Sequence, residues 1–177
     1  CADQSPLANA QRAGLLGKRF VLVHGNYLDD ADRQRVAEGA AHWVHCPRSH
    51  EYFGHQVFAA EAVLEKGINL CLGTDSLATV RDASAELDLF EEMRLFIQNH
   101  PRVTAEACVN MVTQNAALAL GVQQHVGSLE RGKSADLIAL PCSEFDGGVA
   151  EQILAHEGEV DSVMIEGKWV AGERKAA

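Results

Sequence analysis

The residues able to do chemistry gather at the ends of short apolar runs. Asp75 closes Leu72-Gly73-Thr74-Asp75-Ser76. A carboxylate at a strand end can ligate a hard or borderline metal and accept a proton from water. An aspartate there is equally at home as a turn or helix cap. His24 ends a second run, Arg19-Phe20-Val21-Leu22-Val23, and is followed by Gly25-Asn26. Its imidazole can orient water, polarise a substrate or bind metal. It can also be a half-buried histidine bonded to a loop. His42, His45, Cys46, His50 and His55 crowd one stretch. Their spacing fits no closed Cys/His zinc pattern, and on a strand His42 and His45 point to opposite faces. His50 follows the strand end, which makes it the best placed of the five to touch a ligand.

One match to a known expression is a decoy. Gly127-Ser128-Leu129-Glu130-Arg131-Gly132-Lys133-Ser134 fits G-x-x-x-x-G-K-[ST]. A phosphate-cradling loop needs a strand before it and a helix after it, so that loop amides and a helix N-terminus face the anion. Here Ala135 to Leu140 is a strand stopped by Pro141, and Glu130 would face the phosphate. The segment reads as a glycine-flanked turn leading into a strand.

The elements that must position these residues follow from the hydrophobic pattern. Strands are expected at Phe20–Val23, His42–Cys46 and Ile68–Gly73, each too short and too continuously apolar for a helix. Helices are expected between them. Asp29 or Asp30 caps one that Gly39 ends, and Phe58 to Lys66 stops at Gly67. Ser84 to Asn99 is a longer helix, with Leu87, Phe90, Met93, Leu95 and Phe96 on its apolar face. Alternation of this kind argues for α/β architecture with parallel βαβ units. His24-Gly25-Asn26, Pro47-Arg48-Ser49-His50 and Thr74-Asp75-Ser76 then share the C-terminal edge of one sheet, where active sites of parallel α/β folds form. Beyond them, Thr104–Met111 and Thr113–Leu120 are short helices. Ala135–Leu140, Val160–Ile165 and Trp169-Val170 form a small β portion, with a hairpin turn at Glu166-Gly167-Lys168.

Composition excludes several classes. The 177 residues are 47% hydrophobic and 23% charged, a globular balance. No apolar run approaches the ~18 residues that suggest a membrane span, and Cys1 to Gln11 lack the pattern of a signal peptide. Fifteen basic against 25 acidic residues leave a net charge of −10, which repels phosphate backbones, so no nucleic acid partner is expected. Five cysteines without a C-x-x-C pair fit reduced thiols in a cytoplasmic setting.

Taken together, Val23-His24-Gly25, Cys46-Pro47-Arg48-Ser49-His50, Leu72-Gly73-Thr74-Asp75-Ser76 and Gly127 to Leu137 resemble the amidohydrolase superfamily. The branch is that of triazine hydrolases, cytosine and guanine deaminases, and S-adenosylhomocysteine or methylthioadenosine deaminases. Thr113-Gln114-Asn115-Ala116-Ala117 resembles the family's T-x-N-x-A segment. The resemblance implies strands six to eight of a (β/α)8 barrel over residues 1–122 and part of a C-terminal β-sandwich over 123–177. It gives His24 the water-activating or substrate-polarising role at the end of strand six. Asp75 becomes the strand-eight metal ligand and proton carrier. Arg48, Ser49 and His50 become pocket-lining residues on the loop after strand seven, with Ser76 beside Asp75 also on the substrate. His50 departs from the family, which usually carries asparagine there. Also implied are Zn²⁺ or Fe²⁺, an amino-heterocycle substrate and a homo-oligomer in the complete enzyme. The family's strand-one His-x-His, strand-five histidine and neighbouring acid have no match here. A barrel takes roughly 250 residues, so the chain reads as the C-terminal part of a hydrolase. The rival expectation is a non-catalytic remnant that pairs with a partner chain.

Overall fold

The computed structural model describes residues 5–80, 86–141 and 147–172. The chain opens on α1 (Pro6–Arg12), capped by the Ser5 hydroxyl, which accepts from the Ala8 N–H. Then β1 (Val21–Val23), α2 (Asp30–Glu38), β2 (His42–His45), α3 (Pro47–Tyr52), α4 (Ala60–Glu65) and β3 (Asn69–Leu72) alternate. A 3₁₀ turn at Leu77–Thr79 leads on to α5 (Leu89–Asn99), α6 (Ala105–Val112) and α7 (Gln114–Ala119). The remainder is β4 (Leu137–Ala139), α8 (Val149–Leu154), β5 (Ser162–Ile165) and β6 (Lys168–Ala171).

The first three strands form a parallel sheet in the order β1-β2-β3, with Val23 opposite Val44 and Val44 opposite Cys71. Residues in register share a face, because side chains alternate along a strand. Trp43, His45, Leu70 and Leu72 therefore point one way, into a core with Val36 of α2, Val63 of α4, Met93 and Phe96 of α5, and Cys108 and Met111 of α6. Val21, Val23, Val44 and Cys71 point the other way. The last three strands form a separate antiparallel sheet, β4-β5-β6. Its hairpin turns through Glu166 and Gly167, both at positive φ, as a tight turn between twisted antiparallel strands requires.

The βαβ alternation, both sheets and the hairpin lie where the sequence places them, with differences at the edges. The Phe20–Val23 strand begins one residue late. The helix expected from Ser84 begins at Leu89, where the Asp88 side chain accepts from the Phe90 N–H; residues 84 and 85 lie outside the described residues. Arg48-Ser49-His50 is not a loop: it is the body of α3. Pro47 stops β2 and also occupies the first turn of a helix, where a missing N–H costs nothing. The Gly127–Ser134 segment is a turn, with Gly127 and Gly132 at φ 94 and 95, and β4 rather than a helix follows it. Lys133 pairs with Glu130 at 3.3 Å, and the segment is the glycine-flanked turn into a strand that the sequence indicates, not a phosphate loop. Among the described residues no helix is long and apolar enough to cross a membrane.

Candidate functional site

Two strand ends converge through backbone that L-residues rarely adopt. His24 follows β1 at φ 67 and Asp75 follows β3 at φ 56. Left-handed backbone at non-glycine residues clusters at sites where the surroundings hold a side chain in a required direction. At His24 the surroundings are visible. Its N–H donates to Val44 O at 3.0 Å, extending the ladder by one bond, and its carbonyl accepts from the buried Trp43 Nε1 at 2.8 Å. Gly25, at φ 65, passes so close to Trp43 that a Cβ would meet the indole at 2.6 Å. The Val-His-Gly sequence is thus the one that lets the chain turn over Trp43. At the third strand a Cβ on Gly73 would sit 3.0 Å from Val44 Cγ1, so glycine lets β3 close on β2 just before Asp75.

The turns bring His24 Nε2 to 3.8 Å from Asp75 Oδ2, with both side chains partly exposed. The same oxygen accepts a hydrogen bond from Ser49 Oγ at 2.7 Å. Among the described residues none donates to Oδ1. The result is a carboxylate anchored by one oxygen, open at the other, with an imidazole nitrogen beside it.

The four residues expected on the substrate differ in what they touch. Ser49 is 1% exposed, and its hydroxyl proton lies on Asp75. Arg48 turns toward α5: Nε donates to Glu92 at 2.7 Å, Nη1 to Glu91 at 2.6 Å and Nη2 to the Glu86 carbonyl at 3.0 Å. His50 donates through Nε2 to Gln56 O at 2.7 Å and pairs through Nδ1 with the Asn26 amide at 3.0 Å, tying the loop after β1 to α3. Burial holds its pKa below the usual imidazole value. Ser76 is exposed, and its carbonyl accepts from the Thr79 N–H and Oγ1.

The other histidines have structural work. His42 and His45 do face opposite sides of β2. His42 donates to Lys18 O and accepts from Asn69, whereas His45 stacks on Phe58 at 4.0 Å. Cys46, Cys71 and Cys108 are buried free thiols. Burial pushes their pKa values up to about 12, 11 and 12, which makes them inert.

Sequence reasoning missed Glu92. Its carboxylate is fully buried and also accepts the Arg48 backbone N–H at 2.9 Å. Cys46 offers α3 no side-chain cap, so a residue from α5 does that work. Burial raises the pKa of Glu92, and the contacts with Arg48 oppose the rise. The signal was present: Glu92 occupies the α5 stripe that carries Met93 and Phe96, a carboxylate where an apolar residue is expected.

A parallel sheet with a histidine and an aspartate at its C-terminal edge has its polar side chains where parallel α/β enzymes carry their active sites. The amidohydrolase family model matches residues 2–170, and the chain belongs to that family. It is 33% identical over 183 residues to a 5-methylthioadenosine/S-adenosylhomocysteine deaminase of Saccharophagus degradans, covering 96% of this chain and 40% of that protein. The crystal structure of an adenosine deaminase from Xanthomonas campestris with bound zinc superposes with a TM-score of 0.87 at 32% identity. That match covers 97% of this chain and 41% of the other. An atrazine chlorohydrolase from Arthrobacter aurescens complexed with zinc shares the fold, with a TM-score of 0.79 at 20% identity over 96% and 40% of the two chains. The chain thus spans about two fifths of the length of the relatives it matches.

Proposed function

We propose that this chain is the C-terminal part of a metal-dependent amidohydrolase that hydrolyses a C–N bond, releasing ammonia from an amino-heterocycle. On this reading β1, β2 and β3 are strands six to eight of a (β/α)8 barrel formed within residues 1–122, and residues 123–177 belong to a C-terminal β-sandwich. The observation that carries it is the convergence of His24 and Asp75, both in left-handed backbone, from two strands that are not neighbours. The names of the deaminase relatives and the zinc in two similar structures support the substrate class and the metal.

The donor set of this chain fits a zinc or ferrous site only in part. Asp75 offers a carboxylate oxygen and His24 an imidazole nitrogen, both donors that such ions accept. Among the described residues no group of three or more His, Cys, Asp or Glu could hold an ion. Asp75 is the ligand assigned here; the others must come from outside these residues. When bound, the ion contributes Lewis acidity that brings the pKa of water down to about 7.

The chain's own residues do the rest. Asp75 accepts a proton from the attacking water on its open oxygen and passes it to the departing amine, which leaves as ammonia. His24 steadies the water or the charge that develops on the ring. His50 and Ser76 border the heterocycle.

Ammonia release by the complete polypeptide from adenosine, methylthioadenosine, guanine and triazine substrates tests this, with Asp75→Asn and Lys133→Ala alongside. An amide cannot carry the proton, so Asp75→Asn should lower the rate by at least ~10²–10⁴-fold. Lys133→Ala should leave it unchanged, because that residue lies in the turn before β4. A near-wild-type rate in Asp75→Asn would sink the assignment.

A further inference from the structure

A carboxylate that must face a water and a departing amine in turn cannot be free to rotate. Asp75 sits after a strand end, partly exposed, in backbone that does not by itself fix its side chain. Fixation comes from Ser49, whose hydroxyl donates to Oδ2 at 2.7 Å. Ser49 is 1% exposed, so no ligand from solvent reaches it. It is also rigidly carried. Its neighbour Arg48 is clamped by backbone N–H and guanidinium to the buried Glu92, and Pro47 begins the helix on the other side.

We propose that Ser49 is the positioning residue of Asp75. It holds Oδ2 beside His24 and so keeps Oδ1 presented for chemistry, and the Arg48–Glu92 clamp fixes the helix that carries it. The inference rests on the functional reading above. It removes Ser49 from the substrate contacts and gives it a role exerted through Asp75 alone.

The test uses the complete polypeptide loaded with zinc. Ser49→Ala removes one oxygen and keeps a good helix former in α3, so the fold should survive, as a thermal melt checks. Outer partners of metal-site groups typically contribute 10–100-fold. Accordingly kcat should fall by about 10–100-fold with KM nearly unchanged, and zinc affinity, measured by competition with a chromophoric chelator, should weaken by about the same factor. Ser49→Thr, which restores the hydroxyl, should recover most of kcat. A double-mutant cycle needs no threonine variant: Ser49→Ala should weaken zinc binding in the wild-type background and not in Asp75→Asn. Unchanged kcat and zinc affinity in Ser49→Ala would overturn the proposal. So would a rise in KM at constant kcat, which would put the hydroxyl on substrate, or an undiminished zinc effect in the Asp75→Asn background. A wild-type protein that binds zinc but releases no ammonia from any substrate overturns the deaminase reading, while the zinc cycle still decides the role of Ser49.

Discussion

His45 shows how one imidazole can tie stability to pH without taking part in catalysis. Its ring stacks on Phe58 at 4.0 Å and 6°, it is almost wholly buried, and Nδ1 has no hydrogen-bond partner among the described residues. Burial, with smaller effects from His50, His100 and His24, pushes its pKa down to about 3. The unfolded chain protonates His45 near pH 6.5, whereas the folded chain does so only near pH 3. The stability it confers is therefore complete above pH 6.5 and is lost progressively as the pH falls toward 3, at a limiting slope on the order of 1.4 kcal/mol per pH unit. His45→Phe keeps the stack and cannot take the proton, so its urea midpoint should vary less than the wild type's between pH 7 and pH 4. Parallel curves for the two proteins would refute this. The same residue shows what could be read beforehand. Its strand and its face follow from alternation, whereas its neutral state depends on Phe58, thirteen positions away, and on a core no local pattern displays. His24 and Asp75 were legible because each ends an apolar run; that Arg48 turns to Glu92, 44 positions on, was not.

Among the elements, α3 shows how a helix can draw its stability from a neighbour. It has six residues and no side-chain N-cap, and an isolated helix that short does not persist in water. Glu92 of α5 caps it from outside and neutralises Arg48 in the same contact. That is why Pro47-Arg48-Ser49-His50 looks like a loop in the sequence: the signal that makes it a helix lies in another helix. By contrast α2 and α6 carry their caps within reach, at Asp29 and Thr104, and are plain from the sequence. Removing one partner of a buried ion pair leaves the other charged and unpaired, at a cost of roughly 3–5 kcal/mol. Glu92→Ala should therefore destabilise the fold by about that amount in urea unfolding. Glu91 still holds Arg48 at a half-exposed position, which places the expected value toward the lower end. Arg48→Met with Glu92→Leu removes both charges and should recover much of the loss. A Glu92→Ala protein as stable as wild type would show that the clamp is not what holds α3.

At the scale of the whole molecule, the second face of the parallel sheet is buried at His42 and Cys71 and open along β1. Trp43, Leu70 and Leu72 meet helices, but on the opposite face Val21 and Val23 are 37% and 47% exposed. Among the described residues β1 pairs with β2 alone, so its outer edge presents unpaired backbone groups. An edge strand with exposed valines is a template for association. The 177-residue chain by itself should consequently self-associate despite its charge of −10, as light scattering at rising concentration would reveal. Val23→Lys, which puts a charge on that face, should shift it toward monomer. The same incompleteness bears on activity. Asp75 and His24 provide two donors where a catalytic zinc takes three protein ligands and a water. The isolated chain should therefore retain no zinc through gel filtration and release no ammonia from adenosine or methylthioadenosine. Supplying in trans the upstream part of the polypeptide proposed above should restore both properties if it pairs with β1, and the valines should then be protected from oligomerisation. A sharp monomer peak at high concentration with a cooperative melt would show that the sheet is complete as it stands. Zinc-dependent ammonia release by that monomer would show that the donors sufficed.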